Sequence, residues 1–234
     1  MRFLGLSLGD KVPDAKTIWL FREHLTKNNL AEKLFDLFKE ELHKKNLIAG
    51  EGKIIDASFV EIPIQRNSRE ENKQIKEGKT PDDWKENPNK LEQKDVDARW
   101  TKKNGKSYYG YKDHVKADAN SKLIDTYTVT NASVHDSQET EPLLTEEDTG
   151  QSLYADSAYS GEPIKEIVEQ HEMNNYIHEK GYRNSPLTEE QKENNKVKSK
   201  TRARVEHIFG FIENSMNGSF IRTIGIKRAT AVIG

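Results

Sequence analysis

Apolar positions recur at helical spacing over residues 14 to 46. They run Ile18, Leu20, Phe21 and Leu25, then, after Asn28-Asn29, Leu30, Leu34, Leu37, Phe38 and Leu42. Two helices are predicted, with Asp14 and Thr17 as candidate caps of the first. Gly50 and Gly52 punctuate the chain, and the period then changes. Ile54, Ile55, Ala57, Phe59 and Val60 make Lys53 to Ile62 apolar on both faces, with Asp56 in its middle. A strand of that kind belongs at the centre of a sheet.

Residues 65 to 106 are dense in Lys, Glu, Asp and Asn, carry Pro81 and Pro88, and hold no sustained period. They read as an inserted polar loop with Trp84 and Trp100 as its large anchors. Strand patterns return over Tyr108 to Asp118 and Leu123 to Thr130, joined by an Asn120-Ser121 turn that predicts an antiparallel hairpin. Ser133 and Asp136 have capping-box spacing before a short helix towards Leu144. Leu153-Tyr154-Ala155 forms a short strand ending at Asp156. Gly161 and Pro163 open a helix to about His171, Asn175 to His178 is a weak fifth strand, and Thr201 to Met216 is the last strong helix. Three antiparallel strands followed by alternating helix and strand predict an α/β fold. The order matches a ribonuclease-H-like mixed sheet flanked by helices, over residues 51–234 with an insertion at about 65–106. A short, partial helical region over residues 1–50 precedes it.

Composition narrows the chemistry. The chain has no Cys, so disulfides and thiolate-held zinc or iron–sulfur centres are excluded, and any metal rests on carboxylates or the seven His. No apolar run is long enough to span a bilayer, and Asp10 and Lys11 follow Met1-Arg2-Phe3-Leu4 too soon for a secretory signal. A soluble, cytoplasmic protein is expected. The formal charge of -2 conceals ten Lys or Arg against five Glu between Gly181 and Gly234. Contact with phosphates depends on such a local basic surface, although basic runs also serve as solvated faces.

Three carboxylates occupy unexpected places. Asp56 interrupts a strand that reads as buried, where an isolated charge needs a cation, donors or a cavity. Asp156 closes an apolar strand, at the end where open α/β sheets present ligand-binding groups. On a helical wheel Val205, Ile208, Phe209, Ile212 and Met216 form a stripe ~100° wide, and Arg202, Glu206 and Glu213 line one border of it. Three hard oxygen donors on a rigid frame suit two cations ~3.5–4 Å apart, the arrangement of metal-assisted displacement at phosphorus. With 39 acidic residues, however, caps, ion pairs and strand ends account for such a pattern equally well.

At these positions the chain resembles the DDE transposases of bacterial insertion sequences, most closely the insertion-sequence-five group within the insertion-sequence-four superfamily. The resemblance is carried by Gly52 to Glu61, Asp95 to Lys103, Tyr109-Gly-Tyr-Lys-Asp-His-Val115, Val129 to Ser137, Tyr154-Ala-Asp-Ser-Ala-Tyr-Ser-Gly161 and Ser199-Lys-Thr-Arg-Ala-Arg-Val-Glu-His-Ile-Phe-Gly210. It implies that Asp56, Asp156 and Glu206 are catalytic and hold two Mg²⁺ ions, with Mn²⁺ able to substitute, and that Arg202 accompanies Glu206. It further implies cleavage of DNA at the transposon's inverted-repeat ends, strand transfer into target DNA, a homodimer on DNA, and nucleoid association when bound. Two positions depart from the superfamily's pattern: Ser199 stands for a Tyr, and Glu213 for a phosphate-binding Lys. Both ends are short against that pattern, so a truncated copy is expected. Its alternative function is that of a non-catalytic DNA-binding remnant interfering with full-length transposase.

Other residues enter as DNA contacts. Lys196, Lys198, Lys200, Arg202 and Arg204 lead into the last helix as a phosphate track, and Lys102, Lys103 and Lys106 are weaker candidates. Lys112, His114 and Lys116 alternate on the hairpin, which predicts an exposed face able to touch DNA. His135 is assigned to starting a helix rather than to metal binding, and His207, beside Glu206, points away from it on the wheel. Tyr108, Tyr109 and Tyr111 are assigned to packing, with base stacking the lesser option.

Overall fold

The structure is a computed structural model that describes Gly5, Ser7 and residues 9–234; the Met1–Leu4 stretch lies outside them. Six strands form one mixed sheet: β1 (Lys53–Glu61), β2 (Arg99–Lys103), β3 (Lys106–Asp118), β4 (Ile124–Asn131), β5 (Ser152–Tyr154) and β6 (Asn174–Asn175). β1 runs antiparallel to β3 from Lys53↔Asp118 to Glu61↔Gly110 and parallel to β5, which pairs parallel with β6. β3 is long enough for two further partners, β2 along Lys106–Gly110 and β4 along Tyr111–Ala117. Gly110 stands at the changeover with φ +147°, and a Cβ there would collide with the Val60 carbonyl of β1. Strands and flanking helices make a mixed α/β arrangement consistent with a ribonuclease-H-like fold.

Alternation along β1 and β3 divides the sheet's two faces. On one, Ile54, Val115 and Ala117 pack beneath Val205, Ile208 and Phe209 of helix α9 (Val205–Asn214), numbering helices in chain order. On the other, Ile55 and Leu153 pack with Leu143 and Leu144, the end of short helix α6 (Thr140–Leu143), and with Ile164 and Val168 of α7 (Glu162–Gln170). This second layer covers Lys112, His114 and Lys116, which are 7%, 0% and 0% exposed. The expected open, DNA-facing hairpin is therefore corrected. Residues 133–148 fold over it and supply Asp136 to Lys112 at 2.6 Å and Asp148 to Lys116 at 2.5 Å. Buried ammonium groups need such partners.

The insertion is also more ordered than its polarity predicts. It contains α3 (Arg69–Lys76), α4 (Asp82–Glu86), α5 (Pro88–Leu91) and β2. A Ser68/Glu71 capping box starts α3, and Trp84 is fully buried with its indole N–H donated to Glu71 at 2.6 Å. Asp95 anchors the return: Oδ1 accepts from the Ala98 N–H, and Oδ2 accepts from the Tyr111 hydroxyl at 2.6 Å and from the Gly225 N–H. Short polar helices stitched by side-chain hydrogen bonds leave no hydrophobic period to read.

Two helix readings change. The predicted helix over 201–216 is two, α8 (Glu189–Arg202), begun by a Thr188/Gln191 capping box, and α9. Neither Gly nor Pro lies at the break; Arg202 is drawn to β1, whereas Arg204 donates to the Ala119 carbonyl at 2.6 Å. The Ser133/Asp136 box does not form either: His135 caps the short 3₁₀ turn by accepting from the Ser137 N–H, so the helix-starting role of His135 holds. Helices α1 (Ala15–Lys27) and α2 (Leu30–Lys44) lie where predicted, with Asp14 capping the first. Their apolar sides remain open, with Ile18, Phe21, Leu34 and Phe38 each more than half exposed. The buried residue of α1 is instead Glu23, held by Arg228 of α10 (Ile226–Ile233).

Candidate active site

Asp56 lies on the α9 face of β1 and is 6% exposed. Its Oδ1 accepts from the Ala57 N–H at 2.8 Å and its Oδ2 from Arg202 Nη2 at 2.6 Å. Burial pushes the Asp56 carboxyl up from its usual value, Arg202 and the Ala57 N–H oppose that rise, and Asp156 adds to it. Asp156 follows β5 and caps the 3₁₀ turn Ser157–Tyr159, accepting from the Ala158 N–H through Oδ1 at 2.7 Å. Crossing from strand to turn thus fixes one oxygen of Asp156.

Glu206 stands in the first turn of α9, with its side chain 65% exposed and Oε1 3.6 Å from Arg202 Nη1. Arg202 therefore lies between a strand carboxylate and a helix carboxylate. Although burial works against its charge, Asp56, Asp156 and Glu206 together raise its pKa above the ordinary arginine value. One cation is thus shared, electrostatically, among three acids from three distant segments. Their oxygens do not all come within 4.8 Å of one another; among the described residues the His/Asp/Glu set that does so is His43, Asp125 and Glu147. The donor chemistry of Asp56, Asp156 and Glu206 fits a hard divalent cation. Gathering all three around one requires the guanidinium to shift aside.

Two residues close to these acids carried little signal in the sequence. Tyr159 is 1% exposed, and its hydroxyl has no hydrogen-bond partner among the described residues; burial first, and then Asp56, Asp136 and Asp156, push it well above the ordinary phenol value. His178 follows β6 with Nε2 3.2 Å from the Ser199 hydroxyl, and burial and Arg202 lower its pKa against the pull of Asp156. Tyr159 was visible only as the last residue of Asp156-Ser-Ala-Tyr159, and His178 only as the end of a weak strand.

The predicted DNA contacts separate by their neighbours. Lys112 is held by Asp136 and the Val134 carbonyl. Lys198 donates to the Ile177 carbonyl at 3.0 Å, Arg204 to Ala119 and Asn120, and Arg202 to Asp56. Among the described residues, Lys200 is exposed and its ammonium has no carboxylate or hydrogen-bond partner. Glu213 sits 3.5 Å from the Ser58 hydroxyl, beside a surface cavity also lined by Lys106 and Tyr108.

Residues 49–233 match the family described as Transposase DDE domain. The chain is 29% identical, over 217 residues, to the transposase for insertion sequence element IS1106 of Neisseria meningitidis serogroup B, an alignment covering 90% of this chain and 71% of that one. No solved structure matches it. No helix among the described residues is long and apolar enough to cross a membrane.

Proposed function

The chain belongs to the transposase DDE-domain family, and on that premise we propose that it cleaves DNA at transposon ends and joins the freed end to target DNA, with Asp56, Asp156 and Glu206 as the catalytic carboxylates. The observation that carries this reading is the single guanidinium of Arg202 set against Asp56 and Glu206, with Asp156 contributing to the same local field. A buried strand carboxylate, Asp56, with Asp156 and Glu206 adding negative field around the same guanidinium, is costly unless the site is built to hold positive charge.

The three carboxylates would hold divalent cations, Mg²⁺ or in its place Mn²⁺, in a pair. When bound, such ions lower the pKa of an attacking hydroxyl and stabilise the oxygen that leaves. In the first step water attacks phosphorus, the bridging P–O3′ bond breaks, and a 3′-hydroxyl and a 5′-phosphate result. In the second the 3′-hydroxyl attacks a target phosphodiester and displaces the target's own 3′-oxygen. Asp56 is held rigid by the Ala57 N–H and Asp156 by the Ala158 N–H, so two ligands are pre-oriented. Arg202, once displaced from Asp56, is placed to meet a DNA phosphate.

The proposal extends to membership of the insertion-sequence-five group, to a catalytic domain over 51–234 behind a helical region at 1–50, to a homodimer on inverted-repeat ends, and to a cytoplasmic, nucleoid-associated location. The test is a nicking and joining assay on the element's own ends with Mg²⁺. Cleavage and joined product in the wild type, both lost in Asp156→Asn, support the proposal. Binding to those ends with no cleavage would leave the non-catalytic remnant as the better description.

A further inference from the structure

We infer that His43, Asp125 and Glu147 form a second cation site, of the type that takes Zn²⁺, clipping helix α2 to the sheet. Asp125 belongs to β4 at a point where the register with β3 slips: Lys116 pairs with Thr126 and Ala117 with Ile124, leaving Asp125 without a partner across the ladder. A bulge of this kind re-aims a side chain. Here it buries the Asp125 carboxylate to 1% exposure. Its Oδ2 accepts from Lys53 at 2.9 Å, with Lys116 3.3 Å away. Its Oδ1 has no hydrogen-bond partner among the described residues.

That unpartnered oxygen faces His43 Nε2 at 3.8 Å, too far for a hydrogen bond. One ligand atom each from His43, Asp125 and Glu147 lies within 4.8 Å of the others. Ligands of a tetrahedral zinc at ~2.0–2.1 Å stand ~3.3 Å apart, so a small contraction closes the site. His43 and Glu147 are exposed and free to make it. One imidazole and two carboxylates favour a borderline cation such as Zn²⁺ over Mg²⁺ or Ca²⁺, which prefer all-oxygen sets. A water would complete the coordination. Lys53 and Lys116 act on the far oxygen, orienting the ligand in the way that outer partners commonly do. Lys39, 4.0 Å from Oδ1 on a flexible stem, must swing away.

Three elements meet there: the end of α2, the start of β4, and the Glu146–Asp148 turn pinned by the Thr145/Asp148 capping box. Helix α2 has no buried residue of its own and touches β4 through Phe35 edge-on to Tyr127 at 5.0 Å. A helix docked so lightly gains most from a bond to metal. The site is independent of the proposed catalytic acids, since Lys53 and Asp56 point to opposite faces of β1.

The experiment is a calorimetric Zn²⁺ titration with millimolar Mg²⁺ present, on the full chain and three variants, with melting curves alongside. About one Zn²⁺ should bind, persist in Asp56→Asn/Asp156→Asn, and weaken at least ~10-fold in both His43→Ala and Glu147→Gln. Zinc should raise the melting temperature of wild type but not of His43→Ala. Both single variants alter surface side chains and leave the buried Lys/Asp pairs whole, so folding is preserved. Uptake unchanged by His43→Ala, or absent from wild type, overturns the inference. So does a His43 contribution to stability that needs no zinc and appears only at acid pH, the mark of an imidazolium–carboxylate contact.

Discussion

Arg202 donates to Asp56 at 2.6 Å across 146 positions of chain and lies 3.6 Å from Glu206. The pair is mostly shielded, with side-chain exposures of 23% and 9%. Arg202→Ala leaves the Asp56 carboxylate buried and unpaired, and should cost ~2–4 kcal/mol by denaturant unfolding. Adding Asp56→Asn to that variant should recover part of the loss. Strictly additive costs in the double-mutant cycle would show that the two side chains are not coupled.

Asp156 combines an observed capping bond with a proposed place in the chemistry, and the two are separable. As a cap it contributes through the Ala158 N–H, and Asn accepts the same bond. Asp156→Asn should therefore melt within ~0.5 kcal/mol of wild type, whereas Asp156→Ala should lose ~1 kcal/mol. DNA cleavage should fall at least ~100-fold in both. Full cleavage by Asp156→Asn would remove this residue from the chemistry.

Adjacent residues Asp113 and His114 titrate in opposition. Burial alone pushes Asp113 up to about 7, and burial first pushes His114 down to about 4. Between pH 4 and 6.5 the folded chain keeps a proton on Asp113 that the unfolded chain has released, so this term lowers stability as pH rises. Over the same window the unfolded chain holds a proton on His114 that the folded one lacks, so this term raises stability with pH. The two nearly cancel in wild type. His114→Gln should expose the falling slope and Asp113→Asn the rising one, read as melting temperature at several pH values; equal slopes in all three proteins would contradict both shifts.

Lysines predicted alike should behave differently. Lys200→Ala should weaken DNA binding across sequences and reduce the salt slope by about one, as loss of a single phosphate contact does. Lys112→Ala should instead destabilise the fold by ~3 kcal/mol, because Asp136 loses its buried partner. Binding titrations at several salt concentrations, beside unfolding curves, distinguish the two. A salt slope changed by Lys112→Ala in a fully folded protein would reverse the assignment.

Periodicity and turn residues located β1, the β3–β4 hairpin, β5, α7 and the two N-terminal helices, because each depends on neighbours within a few positions. Asp56 and Asp156 stood out for a related reason: a charge inside or at the end of an apolar strand is a local anomaly. What lies over each face of the sheet is not local. Lys112, His114 and Lys116 alternate like any exposed strand edge, and only the fold of residues 133–148 above them buries that row and pairs Lys112 with Asp136 and Lys116 with Asp148. Arg202 is legible beside Glu206, one turn away on the same border of the helical wheel. Its bond to Asp56, 146 positions away, and the oxygen that the β4 bulge aims at His43 arise from chain segments far apart in sequence, where no spacing rule applies.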